Sequence, residues 1–321
     1  LTAKVLPRLW RLLAVLVVAA SSSAMAQPVA DEPYQVAYSG RFAVQVYLNG
    51  KGPFDFLLDT AATRTIIYEH ARARLGLPAD RSAPIDIFGI TGDVMAPSLR
   101  LHELKVADAR IESPIIAVVH DAPDEPDAPD GVLGLDVLGR YFVVLDRAAG
   151  RMRLYAHASD APAEYLAWRS TPMTRIRPRR LPVELWAVDA TVNMKKATAV
   201  VDLGAGVTII NWELARQLGL REDDFIFSPL PAEIQDVLGK TAPVVLASNV
   251  RVWIDRRAWY EQTVLVADAP IFRLLDLAST PAGLVGPGLF ADDSLAIDFE
   301  HHRLYLAPPA PPAPRPKPAS R

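Results

Sequence analysis

The chain has 321 residues, of which 50% are hydrophobic and 22% charged, a balance that excludes a disordered polymer and leaves room for two domains of ordinary size. A formal net charge of −3 provides no basic field for nucleic acid. The absence of cysteine excludes disulfides, thiol chemistry and a lipidated cysteine anchor.

In chain order, residues 1–26 read as a signal peptide. Lys4, Arg8 and Arg11 give the basic start, Leu12 to Ala20 the apolar run, and Ala24-Met25-Ala26 the small-x-small cleavage pattern. The run is shorter than the roughly 20 apolar residues of a membrane span. The sequence therefore predicts a periplasmic or secreted protein with no stable membrane anchor after cleavage. Residues 34–157 then form a first half. In it the apolar strand of FDFLLDTAATRTII (54–67) runs into Asp59 and a small-residue turn. EHARAR (69–74) reads as a helix that stops at Gly76. IFGITGDVMAP (87–97) is a hairpin with a glycine-bounded tip, and LKVADARIESPIIAVV (104–119) alternates as strands do.

Residues 158–170 read as a linker, and residues 171–306 repeat the pattern. TAVVDLGAGVTIIN (198–211) carries an apolar strand into Asp202, an offset of 143 (202 minus 59). The same offset places Thr65-Ile66-Ile67 on Thr208-Ile209-Ile210 and Leu75-Gly76-Leu77 on Leu218-Gly219-Leu220. WELARQ (212–217) supplies the matching helix, and IQDVLGKTAP (234–243) the matching hairpin. GVLGLDVLGRYFVVLD (131–146) pairs with GLVGPGLFADDSLAID (283–298), and each half closes on an apolar strand, MRLY or RLYL. Residues 307–321 form a Pro-rich tail that reads as disordered. The prediction is an all-β pseudo-dimer with one short helix per half, in which Asp59 and Asp202 meet near the two-fold axis as a carboxylate dyad.

With these residues in view, the chain resembles the retropepsin-like aspartic proteases. Asp59-Thr60-Ala61-Ala62 and Asp202-Leu203-Gly204-Ala205 resemble the family's Asp-Thr/Ser-Gly-Ala turn. Gly131-Val132-Leu133-Gly134 and Gly283-Leu284-Val285-Gly286 resemble its Gly-hydrophobic-hydrophobic-Gly segment. The resemblance runs from about residue 40 to 306. It implies two β-barrel halves in one bilobal molecule, with the dyad completed within a single chain. It implies hydrolysis of a peptide or protein substrate by a water held between Asp59 and Asp202, with no cofactor, no metal and no nucleic-acid partner. It also implies that Thr60, Ala61, Ala62, Leu203, Gly204 and Ala205 support the catalytic turns. Phe88, Gly89, Ile90 and Gly92 in one half, and Val237, Leu238 and Gly239 in the other, become flap residues that cover the peptide.

Two positions depart from the family pattern. Ala61 adds a methyl group where the family has glycine, and Leu203 removes a hydroxyl that helps to lock the two turns together. Thr60 alone is left to make that bond, so the dyad is expected to be looser or asymmetric. Two readings stay open: an exported aspartic endopeptidase, and a catalytically impaired protease-like peptide-binding protein. Gly204-Ala205-Gly206 lacks the third glycine of a dinucleotide fingerprint, the histidines are scattered, and no Gly-x-Ser-x-Gly elbow occurs. Trp253, Trp259 and Tyr260 read either as a peptide-stacking patch or as core.

Overall fold

The computed structural model describes residues 27–37, 40–121, 128–179, 184–221, 232–235 and 241–309. The expected signal peptide and residues 310–321 of the expected tail lie outside them. The fold is all-β. Among the described residues, strands form sheets of ten, eight and six members, and helices are short.

Each half begins with a hairpin. Phe42–Leu48 turns at Asn49 and Gly50, both with positive φ, and returns as Lys51–Leu58. A tight hairpin needs left-handed backbone at both corner positions, and Asn-Gly supplies it at least cost. In the second half Leu185–Val192 turns at Asn193 and Met194 into Lys195–Val201. The returning strands are exposed at first and continuously buried at their ends. Those ends are Phe56, Leu57 and Leu58 in one half, and Ala199, Val200 and Val201 in the other. The reason is that each gains a second, parallel neighbour, Gly131–Leu133 in one half and Ala282–Val285 in the other. Parallel strands covered on both sides read as continuous apolar runs.

The strand order then matches from half to half. The first half runs Asp80–Gly89, Gly92–Arg100, Ile115–Val119, Ile66–Tyr68, Gly131–Leu133, Lys51–Leu58, Phe42–Leu48. The second runs Ala232–Gln235, Thr241–Ile254, Arg257–Val266, Ile209–Ile210, Ala282–Val285, Lys195–Val201, Leu185–Val192. Leu185–Val192 pairs back onto Thr241–Ile254, as Phe42–Leu48 pairs onto Glu103–Val106. The long second-half hairpin is thus the unbroken form of two shorter first-half pairs, which are interrupted at Leu101-His102 and Ser113-Pro114. Proline has no N–H to continue the ladder.

The helices Glu69–Leu75 and Trp212–Gln217 occupy matching places. The first ends at Gly76 in the left-handed conformation, and the second starts at Asn211, whose side chain accepts from Leu214 N at 2.9 Å. Shorter helical segments are additional to the one helix expected per half. Leu135–Leu138 and Pro287–Phe290 follow the two Gly-x-x-Gly segments, and Pro270–Leu274 follows Arg257–Val266.

The six-stranded sheet joins the halves. Arg151–Tyr155 and Phe142–Asp146 come from the first, joined by Ala30–Pro33 from just before its expected start. Leu295–Asp298 and Arg303–Leu306 come from the second, joined by Arg169–Pro172, which begins in the expected linker. At its centre Val144 faces Ala296, while Val143 faces Ile297 and Leu145 faces Leu295. In the alignment of GVLGLDVLGRYFVVLD with GLVGPGLFADDSLAID, Val144 and Ala296 are counterparts. A residue facing its own counterpart marks where a two-fold relation passes. The segment 158–170 holds the short 3-10 helix Ala158–Asp160 and the short α-helix Ala163–Leu166 and brings Arg169–Pro172 to the edge of this sheet.

Candidate active site

Both aspartates stand where a buried strand ends beside a parallel neighbour. Asp59 N donates to Leu133 O at 3.1 Å, and Asp202 N donates to Val285 O at 3.0 Å. Each chain then turns back over its own carboxylate. Asp59 Oδ1 accepts from Ala61 N and Ala62 N, both at 2.8 Å. Asp202 Oδ1 accepts from Gly204 N at 3.0 Å and Ala205 N at 2.9 Å. The two turns bring the carboxyl groups close enough for each to perturb the other's ionisation.

The Gly-x-x-Gly segments permit this geometry by close backbone approach. A side chain at Gly134 would come within 2.6 Å of the Arg64 carbonyl carbon, and one at Gly286 within 2.9 Å of Val207. Thr65 and Thr208 tie the same crossing, since Gly134 N donates to Thr65 Oγ1 at 3.1 Å and Gly286 N to Thr208 Oγ1 at 3.2 Å. The first half adds Asp136, which accepts from Thr65 N and Oγ1 at 2.9 and 2.7 Å. Gly288 takes the corresponding place in the second half, so that brace is one-sided.

The bond between the turns is also one-sided. Thr60 Oγ1 donates to Val201 O at 2.7 Å and accepts from Leu203 N at 3.1 Å. Leu203 returns no hydroxyl; its side chain is 1% exposed and belongs to the main core. Two buried backbone groups therefore depend on Thr60, and each would cost about 1–3 kcal/mol if left unpaired. The glycine position is asymmetric as well. A Cβ on Gly204 would lie 2.8 Å from the Asp59 Cβ and nearer still to its carboxyl group. The methyl of Ala61, at the matching place, packs against the cluster containing Ile271 and Leu275.

Electrostatics divide the pair. Burial raises the Asp59 carboxyl, opposed by the N–H groups of Ala61 and Ala62, by the charge of Arg41 and by the bond from Asp202. Burial, then the charge of Asp59, holds Asp202 well above the ordinary carboxylate range. Asp202 is only 4% exposed, while Asp59 opens onto the cleft. Burial and the closeness of a second carboxyl favour a protonated form of the pair.

The cleft above Asp59 is lined from both halves. Ala61, Ala62, Gly204 and Ala205 form its floor, and Phe88, Gly89 and Ile90 form its cover, at the tip of the hairpin Asp80–Gly89 and Gly92–Arg100. The cover is tied across the cleft, with Ile271 N donating to Ile90 O at 3.1 Å. Gly92 closes the hairpin opposite Gly89 and does not line the cleft. Val237, Leu238 and Gly239 lie outside the described residues. Trp259 is held by Asp293 through its Nε1 at 2.8 Å and Tyr260 is 59% exposed; neither they nor Trp253 line the cleft. Arg41, Arg64, Leu185 and Ile271 also line it, and no motif in the sequence singled them out. Among the described residues no group of three or more His, Cys, Asp or Glu side chains is placed to hold a metal, and no helix is long and apolar enough to cross a membrane.

Residues 44–137 match the family model described as Aspartyl protease, a family of the pepsin/retropepsin clan. The match contains Asp59 and the Gly131–Gly134 segment. No curated protein matches the chain.

Proposed function

Since residues 44–137 match an aspartyl protease family of the pepsin/retropepsin clan, we propose that the protein is an exported aspartic endopeptidase built from two duplicated halves. One observation carries this reading: Asp59 and Asp202 end matching strands close enough to perturb each other, and Asp59 opens onto a cleft lined by both halves. Such a pair performs acid–base chemistry on a peptide without a covalent adduct.

Asp59 is the base in this reading, because it opens onto the cleft while Asp202 is the more deeply buried and is raised further. Asp202 is the acid. A water between them gives one proton to Asp59 as its oxygen attacks the peptide carbonyl carbon. Asp202 gives its proton to the carbonyl oxygen, and a tetrahedral gem-diol forms. Asp59 then passes its proton to the amide nitrogen, one diol hydroxyl returns a proton to Asp202, and the C–N bond breaks. The products are a carboxylic acid and an amine, and the dyad regains its starting protonation. The peptide lies extended beneath Phe88 and Ile90, read through its backbone and alternate side chains.

The test is cleavage of a mixture of unstructured peptides by the purified protein and by Asp59→Asn, followed by mass spectrometry. Internal cleavage by the first and none by the second is expected. Binding of peptides by the unaltered protein with no cleavage would make the impaired peptide-binding protein the better reading. Export rests on the basic, apolar and small-residue pattern of residues 1–26. N-terminal sequencing of the protein recovered from outside the cytoplasm is expected to start at Gln27; retention of Leu12 to Ala20 would count against it.

A further inference from the structure

Three charged residues line the cleft. Beside Asp59, they are Arg41 and Arg64. Both arginines come from the first half. Their counterparts follow from matching contacts in the two barrels. Ala43 faces Leu57 as Ala187 faces Val200, so Arg41, two residues before the first, corresponds to Leu185, two before the second. Thr65 and Thr208 make the same bond to Gly134 and Gly286, so Arg64 corresponds to Val207. Arg41 and Leu185 line the same cleft, one from each half. Leu185 is buried in the cluster with Ile271 and Leu284, whereas Arg41 is only partly buried.

An extended peptide crossing a site with two-fold symmetry could lie in either direction. Here the first half contributes two arginines to the lining, and the second contributes Leu185, Ile271 and Leu284. The charge of Arg41 reaches the reacting groups, since it is felt by both Asp59 and Asp202. A substrate group that sits against Arg41 is therefore within a residue or two of the bond that breaks. Arginine presents a planar fork that matches a carboxylate, and such bonds are roughly twice as strong as neutral ones.

We infer that Arg41, with Arg64, forms a subsite for a substrate carboxylate on the first-half side of the cleft, opposite an apolar subsite at Leu185, and that this pair sets the direction in which the peptide lies. The inference rests on the cleft being a peptide site. Two sources of the group share this chemistry, the side chain of an Asp or Glu near the scissile bond and the carboxylate that ends a peptide.

The experiment measures binding, so that it does not depend on turnover. Reduced-amide peptides, which cannot be cleaved, are made in sets that differ only as Glu or Gln at each position around the reduced bond, and as free or amidated C-terminus. Their affinities are measured by calorimetry for the unaltered protein, for Arg41→Met and for Arg64→Met. A preference of about tenfold or more for one carboxylate-bearing peptide is expected. It should be lost in Arg41→Met, where charged and uncharged peptides then bind alike, and reduced in Arg64→Met. Preference for Glu over Gln assigns the subsite to a side chain; preference for the free over the amidated terminus assigns it to a chain end. Equal affinity of the unaltered protein for charged and uncharged peptides overturns the inference and leaves the peptide cleft standing. A preference that survives in Arg41→Met overturns it too. A uniform loss for all peptides in Arg41→Met has the same consequence, since that is the mark of a structural role. No binding of any peptide overturns the inference together with the proposed function.

Discussion

Replacing Asp202 with asparagine is expected to abolish peptide cleavage and to raise the melting temperature at pH 7. Burial and the neighbouring charge of Asp59 hold the Asp202 carboxyl well above the ordinary range. A carboxyl that keeps its proton more tightly when folded favours the folded state at low pH. That advantage is lost as pH rises from the unfolded value, roughly 3.9, through the raised folded value. At neutral pH the unfolded chain releases the proton freely, while the folded chain must retain it or bear a buried charge. Asparagine carries no such penalty, and its amide can still donate to Asp59. Cleavage should fall by about 10² to 10⁴ or more, the span of lost general acid–base catalysis. The stability difference should shrink toward pH 3.5, where the carboxyl of the unaltered protein is mostly protonated in both states. Thermal melts at the two pH values check this. An Asp202→Asn protein that melts lower than its parent at pH 7 would contradict the buried, proton-sharing pair.

Gly204→Ala is expected to be nearly as damaging without touching a titrating group. The added methyl would fall within 2.8 Å of the Asp59 Cβ and closer to the carboxyl group itself. Asp59 cannot simply retreat, because Ala61 N and Ala62 N hold its other oxygen at 2.8 Å. A displacement of about 1 Å at the reacting groups costs on the order of 100-fold in rate, and overpacking costs about 1–3 kcal/mol of stability. Steady-state kinetics should show the loss chiefly in kcat, and urea denaturation should show the lower midpoint. Full activity in this variant would mean that Asp59 does not need its present position.

These two sites were legible in the sequence for a physical reason. The Asp turns and the Gly-x-x-Gly segments are contiguous, and their residue types answer to local demands: small residues where N–H groups fold over a carboxylate, glycine where backbones cross. Thr60 was readable too, because Leu203 left it as the single hydroxyl able to bridge the turns. The shared six-stranded sheet was not. FVVLD and LAID are apolar strands like several others, and their pairing depends on a partner about 150 residues away. Asp136 could have been suspected from its place just after Gly134, but its bond to Thr65 is a tertiary contact. Arg41 had no such signal. It precedes an ordinary alternating strand, and only the closed barrel turns it toward the cleft.

The pairing of Val144 with Ala296 bears on what dilution can do to this molecule. A site assembled from two separate copies comes apart when the protein is scarce, because association depends on concentration. Here the strands that join the halves belong to one chain and lie at the middle of a continuous six-stranded sheet. On the proposed reading, the meeting of Asp59 and Asp202 is therefore an internal property of each molecule, as complete at nanomolar as at millimolar levels. It also means that each side is encoded separately: a change such as arginine for leucine can be written on one wall of the cleft without appearing on the other.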